Sequence, residues 1–216
     1  MTQSGTIPRS KTDADFGDGY AVNEIFYSLQ GEGVLSGTPM LFVRFAGCNL
    51  RCSKRNSGFD CDTDFSFSYN LSREDLLSTI AQHPSRWVLL TGGEPALQAD
   101  QRLIEGIKAE GKSVAIETNG TLLLAEGIDH ICVCPKSTWG TIRQYRADEL
   151  KFVRSRGQDI PSPEDIRVNA DHYIVSPACQ PDGTFDRGDI EWCIKLVKKN
   201  PQWRLSMQTH KLINIK

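Results

Sequence analysis

Three of the chain's seven cysteines, Cys48, Cys52 and Cys61, fall within fourteen positions in the stretch GCNLRCSKRNSGFDCDTDF at residues 47–65. Their thiolates are soft ligands, suited to zinc or to iron and sulfide. A structural zinc site takes four ligands, usually as two close pairs, and His83 is the only further Cys or His within thirty residues of this segment. Three thiolates are the right number for a 4Fe–4S cube whose fourth iron stays open to another ligand. Buried free cysteines and a zinc site completed from a distance are the alternatives that residue types alone leave open. Asp62 and Thr63 follow the third cysteine directly, and both residue types cap turns well.

The other polar motifs each follow a short apolar run. TGGEP at 91–95 follows WVLL, ETNG at 117–120 follows SVAI, and CPK at 134–136 follows HICV. Those runs, with MLFVRFAG from Met40, HYIVSP from His172 and RLSMQTH from Arg204, are rich in β-branched and aromatic residues and read as buried strands. The Met40 run is the second strand, so Arg44 and Cys48 lie at and beyond its end. Between the strands lie helical patterns. SREDLLSTIAQH opens on Ser72, PALQADQRLIEGIKAEG runs from Pro95 to Gly111, and RGDIEWCIKLVKKN carries Lys198 and Lys199 at its negative end. Strands alternating with helices predict parallel pairing through right-handed crossovers, and so an α/β fold with a mostly parallel sheet or partial barrel. Ligands in such folds sit at the C-terminal strand ends, where these motifs fall.

The chain has 216 residues, 39% of them apolar, which fits one domain of ordinary to large size. With 25 basic and 27 acidic side chains it lacks the positive field of a non-specific nucleic-acid binder, so a small-molecule or protein partner is expected. Residues 1–18 are polar and broken by Gly and Pro, with no apolar core for a signal peptide, and read as a disordered extension before a single domain at 19–216. No apolar run is long enough to span a bilayer, so no membrane contact and a cytoplasmic location are expected. An odd number of cysteines there argues against a disulfide framework.

C-x3-C, a third cysteine, TGGEP and ETNG, in that order after successive strands, resemble the radical S-adenosylmethionine (SAM) superfamily. Within it, FYSLQGEG at 26–33, FVRFAGCN at 42–49, CDTDF at 61–65 and WRLSMQTHK at 203–211 resemble the 7-carboxy-7-deazaguanine synthase family. The resemblance runs from about Tyr20 to Lys216. It implies a partial (β/α) barrel of the radical SAM type, and a lyase of queuosine and 7-deazapurine biosynthesis. The implied reaction contracts the ring of 6-carboxy-5,6,7,8-tetrahydropterin to 7-carboxy-7-deazaguanine with loss of ammonia.

The resemblance also implies site residues. Cys48, Cys52 and Cys61 would hold the 4Fe–4S cluster, and Thr63 a magnesium ion shared with the substrate, reasonable for a hard cation that prefers oxygen. SAM would lie against Asp60, Asp62, Gly93 and Glu94, against Cys134, Pro135 and Lys136, and against Ser176, Pro177, Ala178 and Cys179. Gly92 and Gly93 would leave room for its methionyl end. The pterin would meet Leu29, Gln30, Gly31 and Thr91, with Arg44 forming a bidentate pair with its carboxylate. Glu117, and more weakly Glu32, would face its N–H edge, a structural ion pair being a rival role for each. Gln208 and His210 would face the site, His210 being the candidate catalytic histidine, and the terminal carboxylate of Lys216 would close over the substrate. An electron donor such as flavodoxin or ferredoxin, and a homodimer, complete the implied partners.

The sequence departs from the family pattern in places. The usual C-x3-C-x2-C spacing becomes C-x3-C-x8-C through SKRNSGFD, an insertion whose closure entropy costs only about 0.6 kcal/mol per doubling of loop length. Cys134 stands where Ser is usual, and SPAC at 176–179 where a Gln-Pro start is familiar. Cys132, Cys134, Cys179 and Cys193 are read as small buried hydrophobes rather than a second cluster. The other classes weighed are a radical SAM activating enzyme acting on a protein glycine, which has no use for LQGEG, Arg44 and QTHK, and a non-enzymatic zinc-binding protein, which would contain zinc and no sulfide.

Overall fold

The computed structural model describes residues 19–50, 52, 67–180 and 182–216. The expected N-terminal extension lies outside them. Strand β1 (Tyr20–Leu29) pairs antiparallel with β2 (Pro39–Phe45) and with the short β3 (Tyr69–Leu71). From β2 onward the pairing is parallel, through β4 (Trp87–Gly92), β5 (Ser113–Thr118), β6 (His130–Val133), β7 (Arg146–Arg154), β8 (Asn169–Pro177) and β9 (Trp203–Leu205). Among the described residues these nine strands form one sheet in the order β3-β1-β2-β4-β5-β6-β7-β8-β9. Its edges, β3 and β9, do not join, so the fold is a partial, open α/β barrel.

Period-2 alternation along each strand sorts side chains to two faces. On the outer face, Leu41, Val43, Phe45, Val88, Leu90, Val114 and Ile116 pack under helices α1 (Arg73–Ala81) and α2 (Gln101–Ala109), which contribute Leu76, Ile80, Leu103, Ile104 and Ile107. Leu150, Phe152, Val175 and Trp203 pack with Cys193 and Leu196 of α3 (Arg187–Lys199). Full burial of each such Leu or Ile stabilises by about 1.5–3 kcal/mol, and truncating Ile104 to Ala would cost about 2–5 kcal/mol once the cavity is included. The N-termini are capped as their sequences predict: Ser72 Oγ accepts from Asp75 N, and Asp186 accepts from Gly188 N and Asp189 N.

The inner face changes character along the strands. Near their N-terminal ends Met40, Phe42, Leu89 and Ala115 form an apolar floor with Phe26. Two residues further on, the same face carries Arg44 beside Thr91, and then Glu117, Cys132 and Glu149 in register across β5, β6 and β7. Lys151 and Ser176 follow on β7 and β8. This floor and polar rim define where a ligand can sit.

Three elements differ from the sequence reading. The helix expected from Pro95 is divided: Pro95–Leu97 is a 3-10 turn, and α2 begins only after Asp100, whose carboxylate accepts from Leu103 N. The break follows from Gln98, which turns inward to bond Ala21 N at 2.7 Å and Ala46 O at 2.7 Å. The C-terminal strand stops at Leu205, and Thr209–Leu212 forms a single helical turn, α4. Strand β7 is absent from the sequence reading because charged residues alternate with its apolar ones.

Candidate active site

The end of β4 turns back against β2. Gly92 has φ +111°, and a Cβ there would strike the backbone of Phe45, so glycine is required by the strand approach itself. Gly93 N donates to Phe45 O (3.0 Å) and Glu94 N to Gly47 O (2.9 Å), fixing the start of the cysteine loop to this turn. Glu94 is fully buried and accepts from Ala96 N (3.0 Å), Thr118 Oγ1 (2.6 Å) and Asn119 N (2.7 Å). Burial pushes its pKa up despite these donors. Asn119 Nδ2 donates to Asn49 Oδ1 (3.0 Å), and Asn49 Nδ2 to Thr121 Oγ1 (2.7 Å). TGGEP and ETNG thus brace each other and the residue beside Cys48.

Cys48 and Cys52 are half-buried thiols on this loop, neither in a disulfide, and Leu50 N points at Cys48 Sγ (3.4 Å). Half-buried thiols beyond a strand end, with backbone N–H directed at sulfur, are the donor chemistry a cluster needs. Cys61, with Asp60, Asp62 and Thr63, lies outside the described residues.

Inside the barrel an ionic network joins four elements. Lys151 Nζ on β7 contacts Glu32 Oε2 (2.7 Å) and Glu117 Oε1 (3.3 Å). Gln208 Nε2 donates to Glu32 Oε1 (2.8 Å), and Gln30 Nε2 to Glu117 Oε1 (3.2 Å). Lys151 is 4% exposed. Burial alone would neutralise it, but the charges of Glu117 and Glu32 outweigh that and hold its pKa well above the usual range. Burial likewise opposes ionisation of Glu32, and the Lys151 charge overrides it, lowering its pKa to about 2.

The loop at 30–38 is clamped from both sides. Thr209 N donates to Gly31 O (2.9 Å), Gly33 N to Ser206 Oγ (2.9 Å), and Val34 N to Glu149 Oε1 (3.0 Å). His130 Nε2 also contacts Glu149 Oε1 at 2.8 Å. His210 lies over Gly31 so closely that a Cβ there would collide with its ring. Burial pulls the His210 pKa down, the Glu32 charge opposing it.

A second ionic group lies toward the rim. Arg44 Nε donates to Glu24 Oε1 (3.0 Å), and Lys216 Nζ contacts Glu24 Oε2. Both cations lie over the Phe26 ring. The Lys216 carbonyl oxygen accepts from Ser28 Oγ, tying this end of the chain to β1.

At the far strand ends, Cys134, Pro135, Ser176, Pro177 and Ala178 are buried, and Lys136 Nζ lies 3.0 Å from Cys134 Sγ. Cys179 pairs its backbone with Phe185. Among the described residues, Ser176 Oγ and Gln208 Oε1 are buried side-chain atoms with no hydrogen-bond partner. An orphaned buried polar atom costs about 1–3 kcal/mol, so this pair fits an interior built around a polar ligand.

The structure therefore brings Gln30, Gly31, Glu117, Gln208 and His210 together, with Arg44 and Lys216 sharing Glu24 nearby and Thr91 buried beside Arg44 in register. Leu29 is partly exposed, at the end of β1. Sequence reasoning missed Lys151, Glu149 and Glu24. The signal for the first two was ADELKFVR, where Glu and Lys two apart alternate with Leu and Phe, the pattern of a buried strand with a polar inner face.

No family model matches the sequence. Curated proteins do: 7-carboxy-7-deazaguanine synthase of Bacteroides thetaiotaomicron is 42% identical over 195 residues, covering 90% of this chain and 98% of that protein. The enzyme of the same name from Burkholderia multivorans is 41% identical, covering 91% and 99%. The crystal structure of QueE from Escherichia coli superposes with a TM-score of 0.65 at 23% identity over 91% of this chain and 99% of that one, a likeness of fold. Full-length coverage at this identity, on a fold whose strand ends carry the expected motifs, means that the chain belongs to the 7-carboxy-7-deazaguanine synthase family.

Proposed function

We propose that this protein converts 6-carboxy-5,6,7,8-tetrahydropterin to 7-carboxy-7-deazaguanine, with loss of ammonia, in queuosine or other 7-deazapurine biosynthesis. The observation that carries the reading is the polar interior above an apolar floor. Glu117 and Gln208 present acceptors there, and Arg44 meets Glu24 through Nε. A flat bicycle with an N–H edge and one carboxylate matches that arrangement.

When bound, a 4Fe–4S cluster and SAM would supply radical chemistry for hydrogen abstraction. This chain's residues do the rest. Cys48 and Cys52, with Cys61, hold the cluster, and Gly93, Glu94, Cys134 to Lys136 and Ser176 to Cys179 line the SAM site with Asp60 and Asp62. The unpartnered Ser176 Oγ is the hydroxyl in that set free to bond the cofactor. Arg44 pairs the substrate carboxylate through its Nη nitrogens while Glu24 on Nε keeps the guanidinium aimed. Leu29, Gln30, Gly31 and Thr91 border the ring, and Thr63 would hold Mg2+. His210, kept neutral by burial, is suited to take and return a proton near the ring.

Residues 19–216 act as one domain, as the single sheet running through them supports. The reading places the enzyme in the cytoplasm, fed electrons by flavodoxin or ferredoxin; no described helix is long and apolar enough to cross a membrane. The reading includes a homodimer. Anaerobic reconstitution tests the reading: iron and sulfide are measured, then SAM, reductant, Mg2+ and the carboxypterin are added. Iron and sulfide binding with formation of both deoxyadenosine and the deazapurine is expected. Deoxyadenosine without deazapurine would sink the substrate assignment, and absence of iron the whole reading.

A further inference from the structure

The two glutamates that share Lys151 are not equivalent. Both oxygens of Glu32 are already engaged, Oε2 by Lys151 Nζ (2.7 Å) and Oε1 by Gln208 Nε2 (2.8 Å). On Glu117, Lys151 Nζ (3.3 Å) and Gln30 Nε2 (3.2 Å) both address Oε1, and Oε2 accepts from no described residue. The Glu32 side chain is 12% exposed and that of Glu117 24%, so the open oxygen belongs to the more accessible carboxylate. Gln208 shows the same asymmetry. Its amide nitrogen is spent on Glu32, leaving its buried Oε1 without a donor. Two acceptors, Glu117 Oε2 and Gln208 Oε1, are thus each held from behind by the same unit of Glu32 and Lys151.

We infer that Lys151 is a positioning residue for substrate recognition: with Glu32 as its counterion, it holds the Glu117 carboxylate turned so that Glu117 Oε2 and Gln208 Oε1 receive the N–H donors of the ligand. Glu32 is then part of the support and does not touch substrate. A buried carboxylate without a cation takes up a proton or turns toward water, and in either state it ceases to be a fixed acceptor. Lys suits the task because its compact ammonium can address two carboxylates on different elements, one on the 30–38 loop and one on β5. The inference rests on the substrate reading above, which supplies the N–H edge that these acceptors would meet.

The test is equilibrium binding of the carboxypterin to holoenzyme reconstituted with SAM and Mg2+, reductant withheld so that nothing turns over, with the thermal midpoint measured alongside. Loss of one charge-assisted hydrogen bond corresponds to about a 10- to 100-fold weaker Kd. That loss is expected for Lys151→Met and for Glu117→Gln, with a smaller loss for Glu32→Gln, which removes the counterion of Lys151 but keeps an acceptor for Gln208 Nε2. Because Lys151→Met strands two partly buried carboxylates and so puts folding itself at risk, the deciding variant is the double Lys151→Met/Glu32→Gln. It should recover most of the lost thermal midpoint while still binding weakly. A double variant that binds like the wild type would show that Lys151 serves only the fold. Glu32→Gln weakening Kd as much as Glu117→Gln would place Glu32 on the substrate and overturn the division of labour. If the wild type itself fails to bind the carboxypterin, the substrate reading falls and this inference with it; normal wild-type binding with unimpaired Lys151→Met sinks the inference alone.

Discussion

Glu24 with Arg44 and Lys216, and Glu32 with Lys151 and Glu117, are two ionic groups on the same inner face at different depths. At the rim the side chains of Arg44 and Glu24 are 26% and 29% exposed and that of Lys216 64%. In the interior, Lys151, Glu32 and Glu117 are 5%, 12% and 24% exposed. Water and salt screen the rim group, so its ions can change partner at little cost. The inner group has given up solvation for fixed partners and is adapted to presenting atoms in one geometry.

Removing a charge from each group tests that contrast most strongly. Lys151→Met is expected to lose about 3–5 kcal/mol in denaturant unfolding because it leaves buried carboxylates uncompensated, whereas Arg44→Met should lose under about 1 kcal/mol. Similar losses for both would erase the distinction. Gly33→Ala comes next. The residue has φ +67° and its Cβ would meet the Glu149 carboxylate, so a loss of about 1–3 kcal/mol is expected together with weaker substrate binding through the displaced 30–38 loop. Unchanged affinity in that variant would mean that the loop does not set the inner acceptors.

Acid should then separate the groups by titration. The Glu32 pKa falls from 4.5 unfolded to about 2 folded, so its contribution is complete above pH 4.5 and fades as pH falls toward 2. Glu32→Gln should flatten the loss of stability in that window. A wild-type slope there would assign acid sensitivity elsewhere. Burial opposes the same depression in Glu24, but Lys216 and Arg44 prevail and hold its pKa below the usual value. The smallest effect is expected for Glu24→Gln, under about 1 kcal/mol and shrinking as salt is raised. A salt-independent loss would show the rim group to be as closed as the inner one.

Much of this was legible in residue patterns. The apolar runs from Trp87, Ser113 and His130 became β4, β5 and β6 because a strand buried on both faces needs a continuous apolar stretch. Cys48, TGGEP and ETNG were placed together correctly, since parallel crossovers deliver each motif to the same end of the sheet. Less visible was β7, because Glu149 and Lys151 look like solvent residues until their partners on other strands are known. The tail misled in another way: WRLSMQTH alternates like a strand, yet the chain leaves the sheet after Leu205 so that Thr209 can bond Gly31 and set His210 above it.

The sequence by itself determined the α/β class, the family and the residue types available for cluster, cofactor and substrate, because these depend on spacing and composition along the chain. Tertiary structure alone decided the pairing: that Lys151 takes Glu32 and Glu117, that Arg44 takes Glu24, and that Gln208 Oε1 and Glu117 Oε2 are left open. The physical reason is that a buried charge is defined by its partner, and for Lys151 and Glu32 that partner lies 119 positions away in the chain.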